Sequence, residues 1–480
     1  MSFICIKKML SKKLTTYLNT LTPIELSKLG KFIQSPYHNE NLELSRFYEL
    51  VKPFYLDKEK TSALTKRQIW DTLYPNTKYN DQKIRKIASL VLKLAIEFKA
   101  YEILKSQPEQ KLLLKLKAVS HPELTTHISG INRKLDSESQ KTNTILSHFY
   151  KFEFNAQNHR ILELTNNRKK LLQMENLNTA HSHLHIFFYA QKLAIIADII
   201  GYQGFMNVET QAPYDNFLAS LPESPYFQEP IVQVYYLVVQ MLSKPEQESH
   251  FFNLKNWLRE NNEQFSTKEK KIFYSHLVNY CISHKINTGA EQFYEQVFEV
   301  FKIMVSEKLI FDPHLDSNYY RNIISSGIKL SEFEYIHQFI SDYSELLPPN
   351  QKENAATYNL ARVYYAEKKY KKVLQLLQDV ELTNLSYALG AKTILVGTYF
   401  ALNEYRTLES LLISFRIFIL RNKLLAKNNK QGYLNFLKFT KKLIHLAPYD
   451  KDGKEKLRQN IKKAPNVAVK NWLLEQIDHV

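Results

Sequence analysis

Few side chains in this sequence have a type and spacing that could do chemistry. His181 and His185, in the run HSHLH, lie one helical turn apart, and two imidazoles at that spacing can grip zinc when further ligands converge. No glutamate follows His181 in the H-E-x-x-H manner and no cysteine pair is near. The run therefore reads as the start of a helix beside a connector rather than as a metal site. Cys281 stands between Tyr280 and Ile282 in an apolar helical stretch, which makes it a small buried hydrophobe rather than a nucleophile. Glu291, Glu295 and Glu299 recur at i, i+4 spacing, as the solvated face of a helix would. There is no glycine-rich phosphate loop, no dinucleotide fingerprint and no G-x-S-x-G elbow. The expectation is a non-enzymatic chain with no catalytic residues, no cofactor and no bound metal.

Two further constellations could bind rather than react. Lys83, Arg85, Lys86 and Lys93 share a stretch whose apolar residues, Ile84, Ile87, Val91, Leu94 and Phe98, recur at helical spacing on the other side. Such a face is either a solvated lysine surface or a set of phosphate contacts for nucleic acid, and lysine alone supplies only non-specific attraction. Farther on, Tyr358, Arg362 and Tyr365, followed by Thr393 and Phe400, fall where helices would present aromatics beside an arginine. Aromatic rings bring contact area and arginine brings charge-assisted bonds, so this set suits capture of a peptide or protein segment. The simpler alternative is that Tyr365 and Phe400 pack against neighbouring helices.

The elements that must position these residues are helices. In 480 residues there are only 10 glycines and 16 prolines, too few for the turns of a sheet-rich or dinucleotide-binding fold. Hydrophobic residues make up 44% and aromatics 13%, enough for a large core in an ordered chain. Cys5 and Cys281 are too few and too distant for a disulfide framework, which points to a reducing, cytoplasmic setting. The greasiest stretch, IFFYAQKLAIIADIIGYQGF, is interrupted by Lys192 and Asp198, so no membrane span is expected. The net charge of +17 is unevenly spread: residues 1–120 hold 22 basic and 11 acidic side chains, and residues 421–480 hold 14 and 5. Basic ends on a near-neutral body suit an acidic partner such as nucleic acid, although a lysine-rich surface serving solubility explains them more plainly.

Local signals place the helix starts. Thr22, Pro23 and Glu25 form a capping box with proline at the first helical position. A short helix over Lys66 to Leu73 is broken at Pro75-Asn76, and Asn80-Asp81 starts a longer basic one. A short helix, a turn and a basic helix can form a helix-turn-helix. This stretch resembles the end of the winged-helix domain in regulators that carry tetratricopeptide repeats, without the β-hairpin wing. Ser266 and Glu269 repeat the capping-box spacing, and in the turn INTG either Asn287 or Gly289 can take the left-handed conformation.

The clearest organisation is a repeat. Tyr364-Tyr365 and Tyr399-Phe400 are 35 residues apart, and so are Tyr370 and Tyr405. Leu360, Ala361, Tyr364, Tyr370, Val373, Leu377 and Val380 follow the small-and-large pattern of helix crossings in a tetratricopeptide unit of about 34 residues. Leu395, Val396, Tyr399, Tyr405, Leu408, Leu412 and Phe415 fill the same slots in the next unit, and Phe333, Ile336, Ile340, Tyr343 and Pro348 fit the second half of the preceding one. These units resemble tetratricopeptide repeats, with Val373 and Leu408 replacing the usual small residues. The whole chain also resembles a Bacteroidota family with no assigned activity, on FIQSPYHNENLELSRFYELV and YSHLVNYCISHKIN.

The expected architecture is all-α: an α-solenoid of stacked antiparallel hairpins with a helical N-terminal module. Residues 1–105 form the basic module and candidate helix-turn-helix, 106–265 degenerate hairpins, 266–446 the tetratricopeptide-like part, and 447–480 basic capping helices. Stacked hairpins leave a concave surface lined by the first helix of each pair. Tyr358, Arg362, Tyr365 and Ala366, then Thr393, Gly397, Phe400 and Ala401, are expected on it. The expected function is a scaffold or adaptor for a protein or peptide partner; a nucleic-acid-binding regulator is the alternative.

Overall fold

The computed structural model describes residues 11–56, 65–139, 143–165, 167–206, 214–311, 314–349, 351–377, 385–447 and 449–479. About 80% of the described residues are helical. Among the described residues the one extended pairing is an isolated bridge between Phe311 and Leu315. The fold is all-α, as the scarcity of glycine and proline predicts. The chain divides into two compact units, Met1–Lys192 and Leu193–Val480.

In the first unit the Asp81–Ser106 helix is the organising element. The Lys12–Leu18, Pro23–Gln34, Leu42–Val51 and Lys66–Leu73 helices all pack on it. Its predicted stripe of Ile84, Ile87, Val91, Leu94 and Phe98 is buried, and a single apolar core runs from Leu14 to Phe98. The starts follow from local chemistry. The Thr22 hydroxyl accepts the Glu25 amide at 3.2 Å while Glu25 accepts the Thr22 amide at 2.8 Å, with Pro23 at the first helical position. The Asn80 side chain accepts the Lys83 amide at 2.9 Å, and Asn76 makes the preceding turn at φ 64°. A second, smaller core joins Leu116, Ile128, Leu135, Phe154 and Ile161.

The Glu175–Met206 helix carries the apolar stretch singled out in the sequence. Its Glu175–Gln203 portion is the one helix among the described residues long and apolar enough to cross a membrane, with 28% of its most apolar window buried. Lys192 and Asp198 lie within it.

The second unit is built from helices that pair in sequence order. Ser317–Leu330 packs on Phe333–Tyr343, Lys352–Ala366 on Tyr370–Leu377, and Leu385–Ala401 on Tyr405–Arg421. The first helices also touch in succession: Ser317–Leu330 against Lys352–Ala366, and that helix against Leu385–Ala401. In each pair the turn places one residue in the left-handed region, Ser331, Lys368 and Asn403, so one short turn geometry recurs. Lys368 and Asn403 are 35 residues apart, the same interval as the aromatic landmarks. Val373, Leu377, Leu395, Val396, Leu408, Leu412 and Phe415 are buried at the crossings. Val380 lies outside the described residues, as does Cys5. The core continues through Phe436, Leu443, Leu457, Ile461, Leu473 and Ile477, so the C-terminal helices share it with the hairpins.

Candidate partner-binding surfaces

The basic residues of the Asp81–Ser106 helix do not stand together as a free face. Lys83 bends over the Tyr74 ring, 3.9 Å from its centre, and pairs with Glu43 at 2.8 Å. That lysine, and then Tyr74, hold the Glu43 carboxyl below its usual range. Arg85 pairs with Asp81 at 2.6 Å, and Asp81 also takes Lys66 at 3.0 Å and the Tyr79 hydroxyl at 2.9 Å. Lys83 and Arg85 thus each have a carboxylate partner, and Arg85, Lys86 and Lys93 are all exposed. The Asp81–Ser106 helix is followed by the Pro108–Ala118 helix, and no strand pair follows it among the described residues.

The HSHLH run splits between two sides of its helix. His181 is exposed and His185 half-buried, with Nε2 atoms 3.2 Å apart. His183 turns the other way and meets His148, the two Nδ1 atoms 3.0 Å apart, while His148 Nε2 lies 2.9 Å from Asn143 Oδ1. With His148 Nε2–H donating to the Asn143 carbonyl oxygen, His148 Nδ1 accepts from His183 Nδ1–H, so two neutral imidazoles satisfy all four atoms. Burial, the neighbouring His183 and Lys151 push His148 down to about 3, and burial and Lys151 push His183 to about 4. No group of three or more potential metal ligands occurs among the described residues. The pair is a polar tie between the Ile145–Leu164 and Glu175–Met206 helices. Nothing local joins residues 35 positions apart, so only packing could reveal it.

Cys281 falls within a π-helical stretch, Tyr280–Lys285, that continues the Thr267–Asn279 helix. It is fully buried, and burial pushes its thiol up to about 12, a state in which thiolate chemistry is suppressed. Tyr280 donates to the Pro245 carbonyl at 2.8 Å, and Lys285 reaches Glu248 at 2.8 Å. The stretch binds two hairpins together. Glu291 and Glu299, solvated in large part, pair with Lys329 and Lys255.

The expected aromatic and arginine set is used largely in packing. Arg362 donates to Asn359 Oδ1 at 3.0 Å and to Ser325 Oγ at 2.9 Å. It thereby ties Lys352–Ala366 to Ser317–Leu330, and burial lowers its pKa. Tyr358 covers Gly390, where a Cβ would come within 2.4 Å of its hydroxyl, and its ring lies 5.3 Å from that of Tyr387. Thr393 donates back to the Leu389 carbonyl at 2.9 Å. Tyr365 lies over Gly397 in the same way, with the phenol oxygen 2.4 Å from where a Cβ would stand. These two glycines allow one first helix to carry the rings of the previous one at close range.

Tyr365 and Phe400 do come together, at a residue the sequence did not single out. The Trp472 indole N–H donates to the Tyr365 hydroxyl at 3.1 Å. Its ring meets Phe400 edge-on at 5.5 Å and Phe436 at 5.9 Å. Trp472 thus touches three helices at once: Lys352–Ala366, Leu385–Ala401 and Lys427–Ile444. Glu475, on the same Lys470–His479 helix, acts electrostatically on Tyr365 and on Lys329 of Ser317–Leu330. Burial, more than any charge, pushes Tyr365 up to about 12. The signal available in the sequence was slight: Trp472 is one of only three tryptophans, in a stretch otherwise rich in lysine.

No protein-family model matches this chain, and neither a curated protein nor a solved structure matches it.

Proposed function

We propose that this protein is a non-enzymatic scaffold or adaptor, an α-solenoid of tetratricopeptide-like hairpins that takes a helical segment of a protein partner along the groove of its first helices. The observation that carries the reading is the seat of Trp472. A face that accepts an amphipathic helix from its own chain, through an indole against Tyr365, Phe400 and Phe436, has the shape and chemistry to accept one from another chain. The scarcity of cysteine favours a cytoplasmic setting for this role. The alternative, a nucleic-acid-binding regulator, rests on exposed Lys86 and Lys93 and on the lysine-rich C-terminal helices; it is the weaker because Lys83 and Arg85 already have carboxylate partners.

Affinity capture with the wild-type chain and a Trp472→Ala variant, each with and without nuclease and at low and high salt, tests the proposal. Protein capture that survives nuclease and salt and changes with Trp472→Ala supports it. Capture that disappears with nuclease and is indifferent to Trp472 overturns it in favour of the regulator.

A further inference from the structure

A second surface of the same unit has a composition that packing does not explain. The Tyr405–Arg421 and Lys427–Ile444 helices pack against each other, and their outward faces leave a trough of about 800 Å³ between them. Its floor is aliphatic: Leu412 and Leu437 lie buried at the bottom, Leu434 is half-buried, and Ile413 is 63% exposed. Ile417 and Leu420, four and seven residues beyond Ile413, continue the exposed apolar ridge on the same helix face.

The walls are cationic. Arg416, Lys438, Lys441 and Lys442 line the trough, and among the described residues none of the four has a carboxylate partner, while the one acid in the lining, Glu409, is engaged by His445 at 3.1 Å. Lys441 and Lys442 occupy the last turn of their helix, where the helix dipole favours a cation. The dipole does not account for Lys438, which stands three and four residues before them, a like-charge spacing that weakens a helix. Uncompensated cations around exposed aliphatic side chains are complementary to one kind of ligand: carboxylates flanking an apolar stripe.

We propose that this trough binds an acidic amphipathic helix of a partner protein. The lining runs along Lys427–Ile444 from Gln431 to His445, a length of about 21 Å at 1.5 Å per residue. That length matches a helix of about four turns, with leucines on the Ile413–Leu434 floor and glutamates toward Arg416, Lys438 and Lys441. Nucleic acid fits the lining less well. Single strands are held by stacking on aromatic rings, and the one ring in the lining, His445, is engaged by Glu409. This site is separate from the residues that seat Trp472, so it goes beyond the groove reading and can fail independently of it.

The test uses the full-length chain and fluorescein-labelled helical peptides of about 16 residues, long enough to span the trough. One carries leucines at i, i+3, i+4 and i+7 flanked by glutamates; a second has lysines for the glutamates; a third scrambles the first. Random single-stranded and duplex oligonucleotides serve as competitors. The acidic amphipathic peptide should bind about tenfold or more tightly than its scramble, and less tightly as salt rises. The triple variant Arg416→Glu, Lys438→Glu, Lys441→Glu should weaken it by about tenfold or more and gain affinity for the lysine peptide. Ile413→Asp, at an exposed position, should also weaken it by about tenfold with far-UV circular dichroism unchanged. Equal binding of acidic and scrambled peptides, or no effect of the triple reversal, overturns the proposal. An oligonucleotide that binds more tightly and displaces the peptide overturns it too, and reassigns the trough to nucleic acid. The double variant Lys86→Glu, Lys93→Glu, exposed on the Asp81–Ser106 helix, should leave peptide binding unchanged; a loss of about tenfold there would show that the peptide is held by general basic charge and overturn this assignment.

Discussion

Trp472 and Tyr365 are 107 residues apart in the chain and 3.1 Å apart in space, indole N–H against phenol oxygen. Around that contact the helix Lys470–His479 is held twice over. Leu473 and Ile477 enter the core with Leu457 and Ile461, and Trp472 reaches Phe400 and Phe436 on the other side. Removing the indole should therefore loosen the end of the chain more than the rest. Trp472→Ala should cost about 3 kcal/mol or more, and Trp472→Phe, which keeps the ring contacts and loses the N–H bond, about 1 kcal/mol. Amide exchange over residues 470–479 should rise sharply in the alanine variant. Unchanged protection there would mean that the aliphatic anchors alone hold the helix.

The same contact makes a second prediction at Gly397. A Cβ there would stand 2.4 Å from the Tyr365 phenol oxygen and 2.9 Å from the carbon that bears it. Gly397→Ala gains helix propensity, yet the overlap should outweigh it and destabilise by about 1–3 kcal/mol. In a Tyr365→Phe background, where the nearest atom is gone, the penalty should shrink. A Gly397→Ala chain as stable as the wild type in urea unfolding would show that Tyr365 has room to move aside.

The imidazole pair, His148 buried and His183 half-buried, sets a pH dependence whose sign is fixed. His148 is held at about 3 and His183 at about 4, against about 6.5 in an unfolded chain. Below about pH 6.5 the unfolded state takes up protons that the folded state refuses, so the pair's contribution to stability is complete above that pH and lost as pH falls towards 4. Each pH unit that one group resists is worth about 1.4 kcal/mol. Half-buried His276 and His284 are shifted the same way, also by desolvation, so the comparison must be differential. Urea midpoints of the wild type should fall more steeply between pH 7 and 5 than those of a His148→Asn, His183→Asn variant. Parallel curves would mean that the two histidines ionise freely in the fold.

What was legible in the sequence was local. Thr22, Pro23 and Glu25 announce a helix start because the chemistry of a cap lies within four residues, and the cap forms as read. Ile84 to Phe98 announce a buried stripe because periodicity is a property of one helix. Crossing positions such as Val373, Leu377 and Leu408 emerged because they recur at 35 residues, and they are buried. The candidate site was less legible, for a physical reason. Whether Arg362 faces solvent depends on Ser325, 37 residues away, and whether Phe400 is open depends on Trp472. His148 and His183 are joined only by the packing of two helices. Spacing within a helix says which residues share a face; it does not say what covers that face.

Charge on the Asp81–Ser106 helix distinguishes the two functional readings, and the geometry divides the four basic residues. Lys86 and Lys93 are exposed, so reversing both should leave stability within about 0.5 kcal/mol. Lys83→Glu would set a second carboxylate beside Glu43 and remove the cation above Tyr74, so it should destabilise the module and is unsuited as a binding probe. Arg85→Glu would likewise face Asp81. The informative variant is therefore the double one, Lys86→Glu with Lys93→Glu. If this helix contacted phosphates, each lost contact should lower the slope of log affinity against log salt by about one unit. On the scaffold reading, weak salt-sensitive attraction to random duplex is all the helix supplies, and partner capture should be the same in the double variant and the wild type. Fluorescence anisotropy with random duplex at low and moderate salt, run beside the capture experiment, makes the comparison. A slope that drops by about two units, together with loss of tight binding, would place the regulator ahead of the scaffold.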